Sequence, residues 1–195
     1  MYLDISSHQG FIDWKQVATQ KDITGIILRS TTKNGKLDTR TMENYNGILQ
    51  NISGQLEELS VYKFSYARDY VSARIEALKT LRRLKEKGIR FDRLYLDMEL
   101  FDGREYTTKE TNEVILGYYD TFHTLGIDYQ LAIYTNYNYI KNILDRDVAG
   151  PFNIWLAKWS DNIGDISGWN VKLWQYTDRG RVPGISTNVD LSRLI

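Results

Sequence analysis

The chain contains no cysteine among its 195 residues. That excludes a disulfide framework, a thiolate nucleophile and a zinc–thiolate site, and leaves the redox compartment open. Prolines number only two, at 151 and 183, and no Gly-rich, Ser-rich or low-complexity tract marks a linker, so residues 1–195 read as one domain. Net charge is also missing: 25 Lys and Arg balance 25 Asp and Glu. The global basic footprint of a nucleic-acid binder is therefore absent. No apolar run approaches the ~18 residues of a membrane span, so membrane insertion is not expected. The start, Met1-Tyr2-Leu3-Asp4, enters a strand-like run without the basic-then-apolar pattern of a signal peptide. There is no Gly-rich phosphate loop, no G-x-S-x-G elbow and no H-E-x-x-H motif. With only two histidines, neither a metal nor a cofactor is expected.

What is present is a rhythm. A chain of this length buries about 70% of its unfolded surface and needs no staples. Strand-like runs at 2–6, 25–30, 60–66, 93–99, 129–135, 153–159, 171–176 and 188–191 alternate with helix-like runs at 13–20, 39–51, 71–87, 107–125 and 137–145. Thr107-Thr108-Lys109-Glu110 has the pattern of a capping box, and Gly88 and Gly126 stand where helices stop. The alternation predicts an α/β fold: a single irregular (β/α)8-like barrel of about eight mostly parallel strands and about five helices. In such barrels chemistry gathers at the C-terminal ends of the strands.

Carboxylates stand at several of those ends. In Leu94-Tyr95-Leu96-Asp97-Met98-Glu99-Leu100, alternation puts Tyr95, Asp97 and Glu99 on one face, with the two acids roughly 7 Å apart at the backbone. Paired carboxyls suit glycoside hydrolysis, with Glu99 as the acid and a deeper Asp97 staying ionised. Equally, they suit a strand end that caps loop amides or pairs with Arg29 or Arg104. Asp4, between Leu3 and Ile5, is either a third site carboxylate or a turn residue accepting amides of Ser6, Ser7 or Gly10. Asp190, between Val189 and Leu191, is either a carboxyl pointing into a site or a member of a buried pair. His8 orients the turn or a substrate hydroxyl, and His123 reads as a surface helix residue. Aromatics make up 13% of the chain. Trp155 reads as core, whereas Trp159 and Tyr176, nearer strand ends, read as substrate contacts. The charged run 74–87 reads as a solvated helix face.

Taken in order, these segments resemble glycoside hydrolase family 25, the Chalaropsis-type lysozymes. The matching pieces are Asp4-Ile5-Ser6-Ser7-His8-Gln9-Gly10 with Ile12-Asp13-Trp14, Ile26-Ile27-Leu28-Arg29-Ser30 and Leu96-Asp97-Met98-Glu99. They continue through Ile133-Tyr134-Thr135, Trp155-Leu156-Ala157 and Leu173-Trp174-Gln175-Tyr176 to Gly184-Ile185 and Val189-Asp190. The resemblance implies a muramidase that cuts the β-1,4 bond between N-acetylmuramic acid and N-acetylglucosamine in bacterial peptidoglycan. It implies Glu99 as acid/base and Asp97 as the group that steers the substrate's own acetamido group, with retention of configuration. It further implies Asp4 and Asp190 as supporting acids, and Tyr62, Tyr134, Trp159, Tyr176, Gln175 and His8 as substrate contacts. The expected partner is the peptidoglycan glycan strand, met by a monomer acting on the cell wall as a phage endolysin or bacterial lysin. The run 60–66 lacks the Gly often found before the family's tyrosine, and the loop 31–35 differs from the usual one; both bear on loop shape and substrate preference. Two rivals are a glycan-binding barrel without activity and a chitinase-like hydrolase.

Overall fold

The computed structural model describes residues 1–127 and 130–195. Eight strands close into a barrel in sequence order: β1 (Tyr2–Ile5), β2 (Gly25–Arg29), β3 (Glu58–Phe64), β4 (Arg93–Asp97), β5 (Gln130–Asn136), β6 (Ile154–Ala157), β7 (Val171–Gly180) and β8 (Val189–Leu194). Pairings from β1 to β7 are parallel. The last strand runs antiparallel to both β7 and β1 and completes the closure. Tyr129, placed in the fifth strand by the sequence, lies outside the described residues.

Six α-helices accompany the strands among the described residues: α1 (Trp14–Val17), α2 (Thr41–Asn51), α3 (Tyr70–Glu86), α4 (Thr108–Thr124), α5 (Tyr137–Asn142) and α6 (Arg146–Ala149). The expected single helix over 137–145 is thus two. Asp145 turns extended there, and its side chain accepts the amide of Asp147, starting a new helix. The capping box at Thr107 forms as the sequence predicts, Glu110 and Thr107 each bonding the other's amide. Gly88 and Gly126 adopt φ of 67° and 57° just past α3 and α4, the left-handed stop that glycine takes most easily.

Alternation along the strands divides the core in two. Leu3, Ile5, Ile26, Leu28, Leu94, Leu96 and Ile133 face outward and pack under the helices. Tyr2, Ile27, Tyr62, Tyr95, Tyr134, Trp155 and Leu173 face inward and fill the lumen. Trp155 sits centrally in that inner layer, 1% exposed, with the rings of Tyr134, Tyr95 and Tyr62 at 4.4, 5.2 and 6.4 Å. Its Nε1 donates to Ser192 Oγ at 2.9 Å. The lumen is therefore packed with side chains rather than open as a pore.

Candidate active site

Asp97 is the last residue of β4, inward-facing and 4% exposed. One more ladder bond, Met98 N–H to Tyr134 O at 3.0 Å, holds the chain before Glu99 leaves the sheet. Glu99 consequently stands above Asp97 on the same face and is half-buried. On the far side of the lumen, Asp4 and Asp190 are register partners across the antiparallel β1–β8 pair. Their side chains share a face by the same alternation. Tyr134, the register partner of Asp97, has its phenol pushed well up by burial and then by the charges of Asp97, Glu99, Asp4 and Asp190. All four acids are therefore gathered around one tyrosine at the barrel mouth.

Of the alternative roles open in the sequence, the turn amides and Arg104 are engaged by other groups, whereas Arg29 does act on Asp97 and Asp4. The turn after β1 satisfies itself: Ser6 N–H donates to Gln9 Oε1 at 2.8 Å, His8 N–H to Ser6 Oγ at 3.2 Å and Gly10 N–H to Ser7 O at 3.1 Å. Asp4 instead accepts Gln175 Nε2 at 3.4 Å. Arg104 pairs with Glu110. Among the described residues, Asp97 Oδ1 is buried with no hydrogen-bond partner, an unusual condition for a buried carboxylate.

Burial raises all four acids. For Glu99 the burial effect is followed by repulsion from Asp190, so the protonated form is favoured. Asp97 is pushed up by burial, then by Glu99 and Asp4, and drawn back by Arg29 and Lys63. Asp4 is pushed up by burial, Asp190 and Glu99 and drawn back by Arg29. Asp190 is raised to about 6 by burial and Asp178, with His8 opposing. An ionised Asp97, expected from sequence, is thus opposed by its own burial and supported by two cations, whereas among the described residues no cation supports ionisation of Glu99.

Around the acids, Gln175 is fully buried. Its Oε1 accepts both Tyr134 OH and Trp159 Nε1 at 3.0 Å. Trp159 is thereby anchored at the rim while 57% exposed. Tyr62 lies beneath, 9% exposed, close enough to Asp4 and Asp97 that, after burial, both hold its phenol in the neutral form. His8 is exposed beside Asp190. Tyr176 is not brought to the acids. Because Leu173 and Gln175 point inward, Tyr176 packs on the outer core with Trp174, ring centroids 6.2 Å apart. His123 is exposed on α4 and stacks on Tyr119.

Arg29, named in the sequence only as a pairing partner for the strand-end acids, stands at the end of β2, and its charge acts on both Asp4 and Asp97. Sequence reasoning missed a rim cluster of Phe64, Tyr66 and Phe101, with centroids 4.9 to 5.7 Å apart. Phe64 and Tyr66 stand near a strand end, the same placement that singled out Trp159 and Tyr176 in the sequence. Among the described residues no group of three or more histidine or carboxylate side chains is placed to hold a metal ion, and no helix is long and apolar enough to cross a membrane.

Comparison with solved structures gives the same architecture. The modular autolysin LytC from Streptococcus pneumoniae, solved with a synthetic peptidoglycan ligand, is 24% identical with a TM-score of 0.87, over 100% of this chain and 46% of that one. This chain therefore spans about half the length of that autolysin. The catalytic domain of an endolysin from a Listeria monocytogenes bacteriophage is 21% identical with a TM-score of 0.74, over 98% of this chain and 90% of that one. The bacterial lysozyme from Streptomyces coelicolor is 19% identical with a TM-score of 0.71, also over 98% and 90%. No curated protein matches the sequence significantly. The sequence profile of the glycosyl hydrolases family 25 matches residues 3–185, nearly the whole barrel from β1 into the approach to β8, and the chain belongs to that family.

Proposed function

We propose that this chain is a peptidoglycan muramidase, hydrolysing the β-1,4 bond between N-acetylmuramic acid and N-acetylglucosamine, with residues 1–195 as its catalytic domain. The observation that carries the reading is the buried, unpartnered Oδ1 of Asp97 beneath a carboxyl with every reason to stay protonated. An acetamido N–H from the substrate would give Asp97 the donor it lacks. That bond favours the ionised carboxylate and turns the acetamido carbonyl oxygen toward the anomeric carbon. As that oxygen attacks, Glu99 gives its proton to the departing glycosidic oxygen, whose bond to the anomeric carbon breaks. Glu99, now a carboxylate, takes a proton from water as the water opens the cyclic intermediate, and configuration is retained. Substrate assistance of this kind stands outside the usual rule linking carboxyl spacing to stereochemistry.

In this reading Asp4 and Asp190 keep the mouth negative where positive charge grows on the sugar. Tyr62 remains a neutral donor at the floor, Tyr134 stays neutral with its hydroxyl held by Gln175, and Trp159, Gln175 and His8 form the wall. The partner is the glycan strand of the bacterial cell wall, met by a monomer. A family fold, a lysozyme and an endolysin domain among the similar structures support this substrate. Replacing Glu99 by Gln should cost at least ~100-fold in release of new reducing ends from purified peptidoglycan, with the fold intact. Undiminished release would reject Glu99 as the acid. Mass analysis should find muramic acid at the new reducing ends. N-acetylglucosamine there would instead favour a chitinase-like cleavage, and binding without any release a glycan-holding barrel.

A further inference from the structure

A cavity of about 230 Å³ lies beside the mouth, between the loop after β2 and the face of α3, lined by Thr32, Lys33, Lys63, Tyr66, Glu76 and Lys79 among others. Three lysines face one carboxylate there, and that carboxylate is already engaged. Glu76 pairs with the buried Lys63 at 3.2 Å. It also accepts Ser65 Oγ at 2.9 Å, the amide of Tyr66 at 3.0 Å and Tyr118 OH at 3.0 Å. Lys63 in turn donates to Phe64 O at 2.5 Å. Lys33 and Lys79 have no carboxylate within ion-pair distance among the described residues. The cavity therefore carries two uncompensated positive charges.

The walls are fixed. Thr31 and Thr80 share a buried hydroxyl–hydroxyl bond of 3.0 Å that ties the loop to α3. The loop closes on itself through Thr32 N–H to Lys36 O at 2.8 Å and a bridge between Thr31 and Leu37. Lys33 is drawn toward the mouth, its ammonium 5.7 and 5.3 Å from the ring centroids of Tyr66 and Phe101. Tyr66 is the shared wall. One side of it lines the cavity, and its ring packs on Phe64, the last residue of β3, and on Phe101, in the loop after β4. The residue between Phe64 and Tyr66, Ser65, bonds through its amide to Asp97 O at 2.9 Å.

We propose that this cavity binds a carboxylate of the peptide stem that muramic acid carries in peptidoglycan, through Lys33 and Lys79. The proposal rests on the muramidase reading and deepens it: the substrate would be stem-bearing glycan in preference to bare glycan. The stem is covalently joined to a sugar in the groove, so its acid groups are delivered to the immediate neighbourhood of the acids. A volume below the ~300 Å³ at which pockets begin to hold a whole small ligand suits the end of a side group better than a sugar pair. Phosphate of an anionic wall polymer shares the charge, and the stem-free arm of the test separates the two.

The test compares wild type with the double variant Lys33→Ala/Lys79→Ala on peptidoglycan bearing its stems, and on the same glycan after an amidase has removed them. The stem-bearing over stem-free ratio of kcat/KM should fall about fivefold, as expected for losing two exposed charge contacts. The change should lie mainly in KM, and Lys33→Arg/Lys79→Arg should restore it. In a second arm, a synthetic muramyl peptide is titrated into the Glu99→Gln protein with and without the two alanines. Weaker binding to the alanine form is expected, and this arm reads the cavity whether or not the glycan is cut. Equal loss on both glycans, an unchanged ratio, or a loss seen only when phosphate polymer is left on stem-free walls would each overturn the proposal. Absence of new reducing ends from wild type on either substrate would instead remove the muramidase reading, leaving the peptide titration to decide the subsite.

Discussion

At the lower end of the lumen, Glu58 accepts Ser60 Oγ at 2.5 Å, Tyr95 OH at 3.1 Å and Arg93 Nε at 3.2 Å, all on one oxygen. At the upper end, Asp97 keeps a buried oxygen with no partner, and Asp4 holds one long bond from Gln175. The same inward-facing positions of the same barrel carry both. A carboxylate that serves the fold is surrounded by donors and one cation. Carboxylates at the mouth are placed beside one another, with Arg29 and Lys63 acting only on some of them. Like charges in a low-dielectric mouth cost stability, and the fold bears that cost at the place where we propose the chemistry is done.

The largest effect expected from breaking this contrast is at Asp97. Asp97→Asn keeps the size of the side chain but presents either a donor or a weaker acceptor where an anion is needed. It should lower the rate of reducing-end release by about 100-fold, while the thermal midpoint at pH 7 stays level or rises. A midpoint that falls by several degrees alongside the rate would mark Asp97 as a structural acid like Glu58.

Glu58→Ala should do the opposite. It strips the acceptor from Tyr95, Ser60 and Arg93 in a half-buried setting, at about 2 kcal/mol. For a chain of this length that is a fall of roughly 4–8 °C in midpoint. The kcat at a temperature where both proteins are folded should be unchanged. A rate loss without a loss of stability would show that the lower end also feeds the reaction.

How much of this contrast was legible beforehand depended on which physical rule set each feature. Strands β1 to β7 could be read because short apolar runs were bounded by turns, and the acids stood out because Asp4, Asp97 and Asp190 each sit between apolar neighbours. The direction of β8 could not be read, since alternation is the same for parallel and antiparallel strands and only closure decides. The break between α5 and α6 depends on one capping side chain, Asp145. Tyr176 and Trp174 do share a face, as their spacing requires, but which face turns inward was settled by Leu173 and Gln175. Lys63 was the least legible: a lysine in a strand reads as solvent-facing, yet this one is 1% exposed because Glu76, 13 residues later in the chain on α3, supplies its counter-charge.

The smallest expected effect, and the one that sharpens the comparison most finely, is the pH dependence of stability at Asp190. An unfolded aspartate ionises near pH 4, whereas in the folded chain Asp190 ionises only at about 6, because burial and then Asp178 oppose its charge. Across that window the unfolded state has lost its proton while the folded state still holds it. The folded state is favoured by this group below about pH 4, and the advantage is lost as pH rises toward 6. Asp190→Asn removes the penalty, so its midpoint relative to wild type should be higher at pH 7 than at pH 4, by on the order of 2 °C given the partial exposure of the group. The same substitution takes a negative charge away from Glu99, which Asp190 helps to keep protonated. The alkaline limb of the rate profile should therefore move to lower pH. A midpoint difference that is flat with pH, together with an unmoved alkaline limb, would separate Asp190 from the acid cluster and place it with Glu58 among the residues that serve the fold.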